Sequence, residues 1–489
     1  MKLSNATLDA LPASVSRPSY DRGALTPGIV HIGLGNFHRA HQAWYLHRLM
    51  QAGEAHDWAI VGAGVRAYDM GMRDRLVAQD CLTTLIELDP KGRSAEVVGS
   101  MIDYLPVEEG HGPLIRQMAD PAIRIVALTI TEGGYYRDAD GAFDADHEDI
   151  VFDMANPDHP RTAFGAIVAA LKLRRAAGHG PFTALSCDNL QGNGEILRSC
   201  VTTLARMTDP SLADWLEQHG AFPNSMVDCI VPVTSPELIE TARTLGVDDA
   251  APVSHEVFRQ WVIEDDFCAG RPAWEKVGAT LTDNVHQYEA MKLRILNAGH
   301  QLLANAGELL SQDTIADCMA DAEISGFLRK VMADDVLAQV DAVPGMTAAA
   351  YLDLVEGRFA NPSIRDSVRR VAFDGSSRHM GFLLPTLRDA LAAGASTDGL
   401  ALAEALWARM CLGARDDGSS IEPNDPHWDA LTKAAHQAAS DPAAWLAQAD
   451  IYGDLGEATG FRAEFARWMT ALADNGARAT IKKYLSQAA

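Results

Sequence analysis

The sequence predicts an α/β protein in two parts: a parallel-sheet domain over residues 1–285, then a mostly α-helical domain over 286–489. Three observations predict it. The segment GIVHIGLGNFHRAHQAWYLHRLMQAG runs from a short apolar strand through a glycine turn into a helix ending near Gly53. The run RIVALTITEGGYY is almost continuously apolar, as in a strand covered on both faces. Beyond residue 285 the strand-like runs cease, and EISGFLRKVMADDVLAQV, LALAEALWARMCLG and GFRAEFARWMTALA all carry helical periodicity.

Taken in order, the first strand–turn–helix has the form of a Rossmann-type dinucleotide unit. Gly33 and Gly35 permit a tight turn and let backbone N–H groups approach a pyrophosphate. The third glycine of G-x-G-x-x-G is absent, since His38 stands there. A second strand, from about Asp57 to Val65, ends where this fold reads the adenosine ribose. Asp69 there would accept from the ribose hydroxyls and repel a 2′-phosphate, which favours NAD over NADP, whereas Arg66 would welcome that phosphate. Strands follow at CLTTLIEL and AEVVGSMI, and the apolar third run ends in Thr129, Thr131 and Glu132. Polar residues at the carboxyl end of a central strand lie where such sheets bind ligands. The helix RTAFGAIVAALKLRRAAG leads to FTALSCDNLQGNG, a strand entering a polar corner at Asn189, where a plain turn cap is the competing reading. FPNSMVDCIVP is read as a strand with Asp228 in its apolar run, and a buried carboxylate needs a partner. RQWVIEDDF is another strand, and ARDDGSSIEPNDP is read as a solvated connection.

The stretch HQYEAMKLRILNAGHQLLANAGELL, residues 286–310, reads as one long helix, apolar nearly all round yet carrying ionisable groups. At ~100° per residue, Glu289, Lys292, Asn297 and His300 share one broad arc. A lone lysine there is ordinarily a snorkeller. The spacing K-x4-N-x2-H with Glu289 in front also supplies a base, hydrogen-bond donors and an orienting group, the parts that alcohol oxidation needs.

Composition narrows the classes. Lys and Arg number 41 against 66 Asp and Glu, a net charge of −25. That field repels nucleic acid and anionic membrane surfaces, so a small-molecule partner is expected. The seven cysteines are scattered without a C-x-x-C pair and read as buried thiols of a reducing compartment. The opening residues lack a basic stretch followed by an apolar core, and a cytoplasmic protein is expected. H-E-x-x-H is absent and no metal site is expected.

With these residues in view, the chain resembles the polyol-specific long-chain dehydrogenases, a family that includes mannitol 2-dehydrogenases and the related fructuronate and tagaturonate reductases. The resemblance runs almost end to end. It is carried by IGLGNFHRAHQA, LTITEGGY, SCDNLQGNG, FPNSMVD, QWVIEDDFCAGRPAWEKVG, YEAMKLRILNAGH and DGSS, and the mannitol dehydrogenase branch is nearest. It implies a zinc-independent hydride transfer between a nicotinamide cofactor, NAD, and a polyol or ketose, in a cleft between the domains. D-mannitol to D-fructose and D-arabinitol to D-xylulose are the reactions implied, with reduction of fructuronate or tagaturonate as the alternative. The resemblance assigns Lys292 as general base, Asn189 and Asn297 as amides stabilising the alkoxide, and His300 as the histidine orienting the substrate. Glu289 matches a residue of proton passage to solvent, and Asp228 and Arg370 match contacts to substrate hydroxyls. Gly33, Gly35, Phe37 and Asp69 match the cofactor-site pattern, to which Thr131 is added from its place at the strand end. A monomer is allowed. The chain departs from the pattern at Cys229 in place of Arg, Arg378 in place of Lys, Ala298-Gly299 in place of Gly-Ser, and Tyr68 in place of an acid. Arg378 therefore becomes a candidate for selecting the substrate, because a planar guanidinium grips differently from an ammonium.

Overall fold

The computed structural model describes residues 1–138 and 141–487. The chain forms two compact units, Met1–His286 and Gln287–Ala489.

In the first unit five strands make a wholly parallel sheet: β1 (Pro27–Ile32), β2 (Ala59–Ala63), β3 (Met101–Tyr104), β4 (Ile125–Leu128) and β5 (Thr183–Ser186). Their spatial order is β3-β2-β1-β4-β5, so the direction of winding reverses between β1 and β4. Every residue of β2, β4 and β5 is buried, because the sheet is covered on both faces. The helix Ala163–Ala176 places Phe164, Ile167 and Leu171 on one face, and Gln42–Gln51 places Leu46 and Leu49 on the other. This is the doubly wound arrangement, in which ligands sit outside the carboxyl ends of the strands at the reversal.

Four local expectations are corrected. The helix after the glycine turn is broken: Asn36–Ala40 and Gln42–Gln51 flank His41, whose backbone is non-helical (φ −119°, ψ −95°). Its imidazole lies 3.0 Å from the Gln260 carbonyl and stacks on Phe37, contacts that a continuous helix would forgo. AEVVGSMI is two strands, Gly92–Val98 and Met101–Tyr104, because Gly99-Ser100 breaks the pairing. The connection ARDDGSSIEPNDP is not wholly solvated, since Asn424 and Asp425 are buried. Asp425 accepts from the Ser376 amide at 2.7 Å and its hydroxyl at 2.9 Å, pinning the start of the helix that carries Arg378. Six of the cysteines are buried, but Cys268 is exposed.

The second unit is helical. Asp398–Met410 packs against the C-terminal helix Thr459–Leu485 and against Ala298–Leu309. The helix around the Lys-Asn motif is α-helical over Val285–Met291 and Ala298–Leu309, but π-helical between, over Lys292–Asn297. Further π-helical stretches occupy Met332–Val336 and His379–Leu383. A sealed polar chain ties Ala298–Leu309 to its neighbours. Asn305 Nδ2 lies 2.8 Å from His379 Nε2, and His379 Nδ1 lies 2.7 Å from Glu404 Oε1. The Tyr452 hydroxyl donates to Glu404 Oε2 at 2.6 Å and accepts from Trp445 Nε1 at 2.6 Å. A buried carboxylate is tolerated there because each oxygen has a donor.

Candidate functional site

The residues proposed for the cofactor follow the carboxyl ends of β1, β2 and β4. Gly33 follows β1 with φ +86°, and a Cβ there would collide with the Thr129 carbonyl, so the turn requires glycine. Gly35 caps the helix Asn36–Ala40, and a Cβ on it would have no atom within 4 Å. The turn thus leaves open space on the Cβ side of Gly35. Phe37 is half-buried with its ring 4.8 Å from that of His41. His38, at the missing third glycine, is buried and stacks at 3.5 Å on His31 of β1. Burial lowers His31 to about 3 and holds His38 well below its ordinary value, so both rings are neutral. Composition did not disclose Arg39, which is fully buried and braces the turn through Gly35 O at 3.2 Å and Asn36 Oδ1 at 2.6 Å.

At the end of β2, Asp69 Oδ2 accepts from the amides of Val65 and Arg66, both at 3.0 Å. The carboxylate therefore closes its own turn through one oxygen. The Arg66 guanidinium is drawn towards the Tyr136 hydroxyl at 2.9 Å and Asp149 at 3.8 Å. That engagement competes with any role in greeting a 2′-phosphate.

At the ends of β4 and β5 stand Thr131, exposed, and Asn189, exposed in a bend. Thr131 has φ +64° and ψ 165°, a region almost confined to glycine, where strain of about 1–3 kcal/mol per residue is usual. Asp188, next to Asn189, accepts from the Thr131 amide at 2.8 Å, the Ile130 amide at 3.0 Å and the Tyr135 hydroxyl at 2.7 Å. Burial pushes its carboxyl up to about 6, against the pull of these donors. The folded chain thus retains a proton that the unfolded chain has lost. The resulting stability is complete below the unfolded value of ~3.9 and is lost as pH rises through about 6. Asp188→Asn cannot titrate. Between pH 4 and 7 the urea midpoint of the parent chain should fall relative to this variant, by the equivalent of about 3 kcal/mol at most. Parallel curves would refute the assignment. Asp228, at the end of Ser225–Asp228, is buried as expected.

In the second unit Lys292 and Asn297 are each 8% exposed and Glu289 is 4% exposed. The π-helical stretch spans the two motif positions from end to end. In an α-helix residues five apart point ~140° away from each other. An i→i+5 ladder turns less per residue and so narrows that angle between the two positions. His300 lies against the Phe359 ring at 4.4 Å. Its Nε2 is 3.8 Å from Asp366 Oδ2, while Asp366 Oδ1 accepts from Arg370 Nε at 2.8 Å and pairs with Nη2 at 2.5 Å. Asp366, unremarked in the sequence, joins the two expected substrate contacts. Arg378 donates to the Val371 carbonyl at 2.9 Å. Among the described residues no three His, Cys, Asp or Glu side chains group as metal ligands, and no helix is long and apolar enough to cross a membrane.

Comparison with known proteins gives the family. The family model "Mannitol dehydrogenase Rossmann domain" matches residues 27–276, and "Mannitol dehydrogenase C-terminal domain" matches 284–473. The mannitol 2-dehydrogenase of Cereibacter sphaeroides is 54% identical over 473 residues, covering 97% of this chain and 99% of the relative. A polyol:NADP oxidoreductase of Gluconobacter oxydans is 40% identical over 436 residues, covering 88% and 90%. The solved structure of Pseudomonas fluorescens mannitol 2-dehydrogenase, a ternary complex with NAD and D-mannitol, superposes with a TM-score of 0.89 at 40% identity, covering 100% of each chain. With both domain models matched and a near full-length relative at this identity, the chain belongs to the mannitol dehydrogenase family.

Proposed function

We propose that the chain is an NAD-dependent polyol dehydrogenase that oxidises a secondary alcohol of D-mannitol, or of D-arabinitol, to the ketose. The observation that carries this reading is the π-helical stretch that runs from a buried lysine to a buried amide. In this mechanism neutral Lys292 takes the hydroxyl proton, and Asn297 donates to the oxygen as negative charge develops on it. Asn189 has the same donor role by family resemblance. His300, held near Asp366, orients the substrate; Glu289 passes the proton onward; Asp228, Arg370 and Arg378 meet its hydroxyls. When bound, the nicotinamide supplies the hydride acceptor. Gly33, Gly35, Phe37, Asp69 and Thr131 form its seat, and a cytoplasmic enzyme acting on a small molecule follows from the same reading.

The alternative, an aldonate enzyme of the fructuronate or tagaturonate type, needs an uncompensated cation for the substrate carboxylate. Asp366 already neutralises Arg370, which supports an uncharged polyol at that residue, and Arg378, which donates to a neutral carbonyl, is the cation on which the alternative would rest. The test is a panel of mannitol, arabinitol, mannonate and altronate with NAD and with NADP, followed by nicotinamide absorbance. Turnover of a polyol with NAD is expected. Activity confined to the two aldonates establishes the alternative, and no turnover at all removes the enzyme reading. Asp69→Ala should lower the preference for NAD. Equal use of both cofactors by the parent chain would show that Arg66, not Asp69, decides.

A further inference from the structure

Two strand-end corners of the first unit meet at one side chain. Asp188 is buried, and its own backbone is doubly fixed: its carbonyl accepts from Asn193 Nδ2 at 3.0 Å, and its amide donates to Ser186 Oγ at 3.3 Å. Asn193 is itself fully buried and holds the neighbouring strand through Ser225 O at 2.7 Å and Ser225 N at 2.9 Å. From this anchor the carboxylate reaches across to the other corner and takes the amides of Ile130 and Thr131 together with the Tyr135 hydroxyl. Tyr135 is fully buried, and its oxygen is 2.6 Å from Ser186 Oγ, which closes the ring of contacts on the β5 side. The residue whose amide is gripped, Thr131, is β-branched and yet sits at φ +64°. For such a residue this conformation persists only where the surroundings over-determine it.

We propose that Asp188 is a positioning residue whose carboxylate holds Thr131 in a left-handed backbone and thereby clamps the corner bearing Thr131 and Glu132 onto the corner bearing Asn189. The functional half of the proposal rests on the reading of these corners as cofactor seat and alkoxide donor. The clamp itself does not. Without the carboxylate, Thr131 relaxes to an ordinary backbone and carries Glu132 and the turn to Tyr135 with it. The two corners then lose their fixed separation.

A double-mutant cycle between Asp188→Ala and Thr131→Gly tests this, because glycine adopts the gripped conformation without steric cost. Two readouts are used. Hydrogen exchange over the 129–135 segment reports the clamp whether or not the chain is an enzyme. Cofactor KM and kcat report its consequence. In the Thr131 background, Asp188→Ala should speed exchange and raise cofactor KM about tenfold or more, the scale of losing charge-assisted bonds, and should also lower kcat. In the Thr131→Gly background the same substitution should change exchange and KM by less than about threefold. Asp188→Asn, which conserves shape, serves if the alanine variant does not fold, and should show the same pattern in smaller measure. Equal effects in both backgrounds would overturn the clamp, as would unchanged exchange. A fall in active fraction with KM unmoved would reduce Asp188 to a stabilising residue. If the parent chain neither binds NADH nor turns over, the functional reading fails, while the exchange cycle still decides the clamp.

Discussion

Lys292→Ala should retain the fold and NADH binding while turnover falls by about 10²–10⁴-fold, the usual loss on removing an acid–base group. The proposed cofactor seat, Gly33, Gly35 and Asp69, lies in the first unit, whereas residue 292 lies in the second. The lysine is 8% exposed inside a helix whose neighbours Met291, Ile295 and Leu296 are buried, and deleting its amine leaves their packing largely in place. The low-pH limb of the oxidation profile should vanish with the amine, and small external amines should restore part of the rate. A lysine that merely snorkels predicts a slight loss of stability, near-normal kcat and an unchanged pH profile. Near-normal kcat in this variant would therefore sink the mechanism.

Asn297→Ala should cost about 10²–10³-fold in kcat, the scale of losing one donor aimed at a developing oxyanion. Substrate KM should move far less, because a ground-state hydroxyl needs the amide less than an alkoxide does. Asn297→Asp should be no better, since a carboxylate presents an acceptor and a charge of the wrong sign. A variant whose KM rises while kcat holds would place Asn297 in substrate binding alone.

Much of the first unit was legible because its signals are local. Short apolar runs such as Ile125–Leu128, closed by polar residues and glycines, read as strands buried on both faces, and Gly33 could be read as a turn residue before its left-handed φ was seen. The break at His41 was not legible, because it depends on the carbonyl of Gln260, far away in sequence. The helices Asn193–Thr208 and Pro210–His219 were missed, although Pro210 and the Asp209 cap mark the second of them. In the candidate site, Lys292, Asn297 and His300 announced themselves as polar residues on an apolar helix. Asp188, Asp366 and Arg39 did not, since each works by gripping a partner brought near by the fold. For Asp188 the nearest available signal was a carboxylate at the end of an apolar strand, and the eye went to its neighbour Asn189 instead.

The π-helical stretch Lys292–Asn297 also means that the helix 285–309 contains one residue more than its length as a regular α-helix would require. That surplus residue is countable, and a single deletion inside the stretch could absorb it. The shortened helix would close its ladder with ordinary i→i+4 bonds, so nothing in its own backbone energetics defends the extra residue. The helix C-terminal to the deletion, His300 and Asn305 included, would keep its orientation, and the change would fall on the turn Lys292–Asn297 itself. The contact of Asn305 with His379 would then survive, while the spacing of Lys292 to Asn297 would shrink by one residue. Chain length in this one turn is thus a constraint of the same rank as the identity of its side chains.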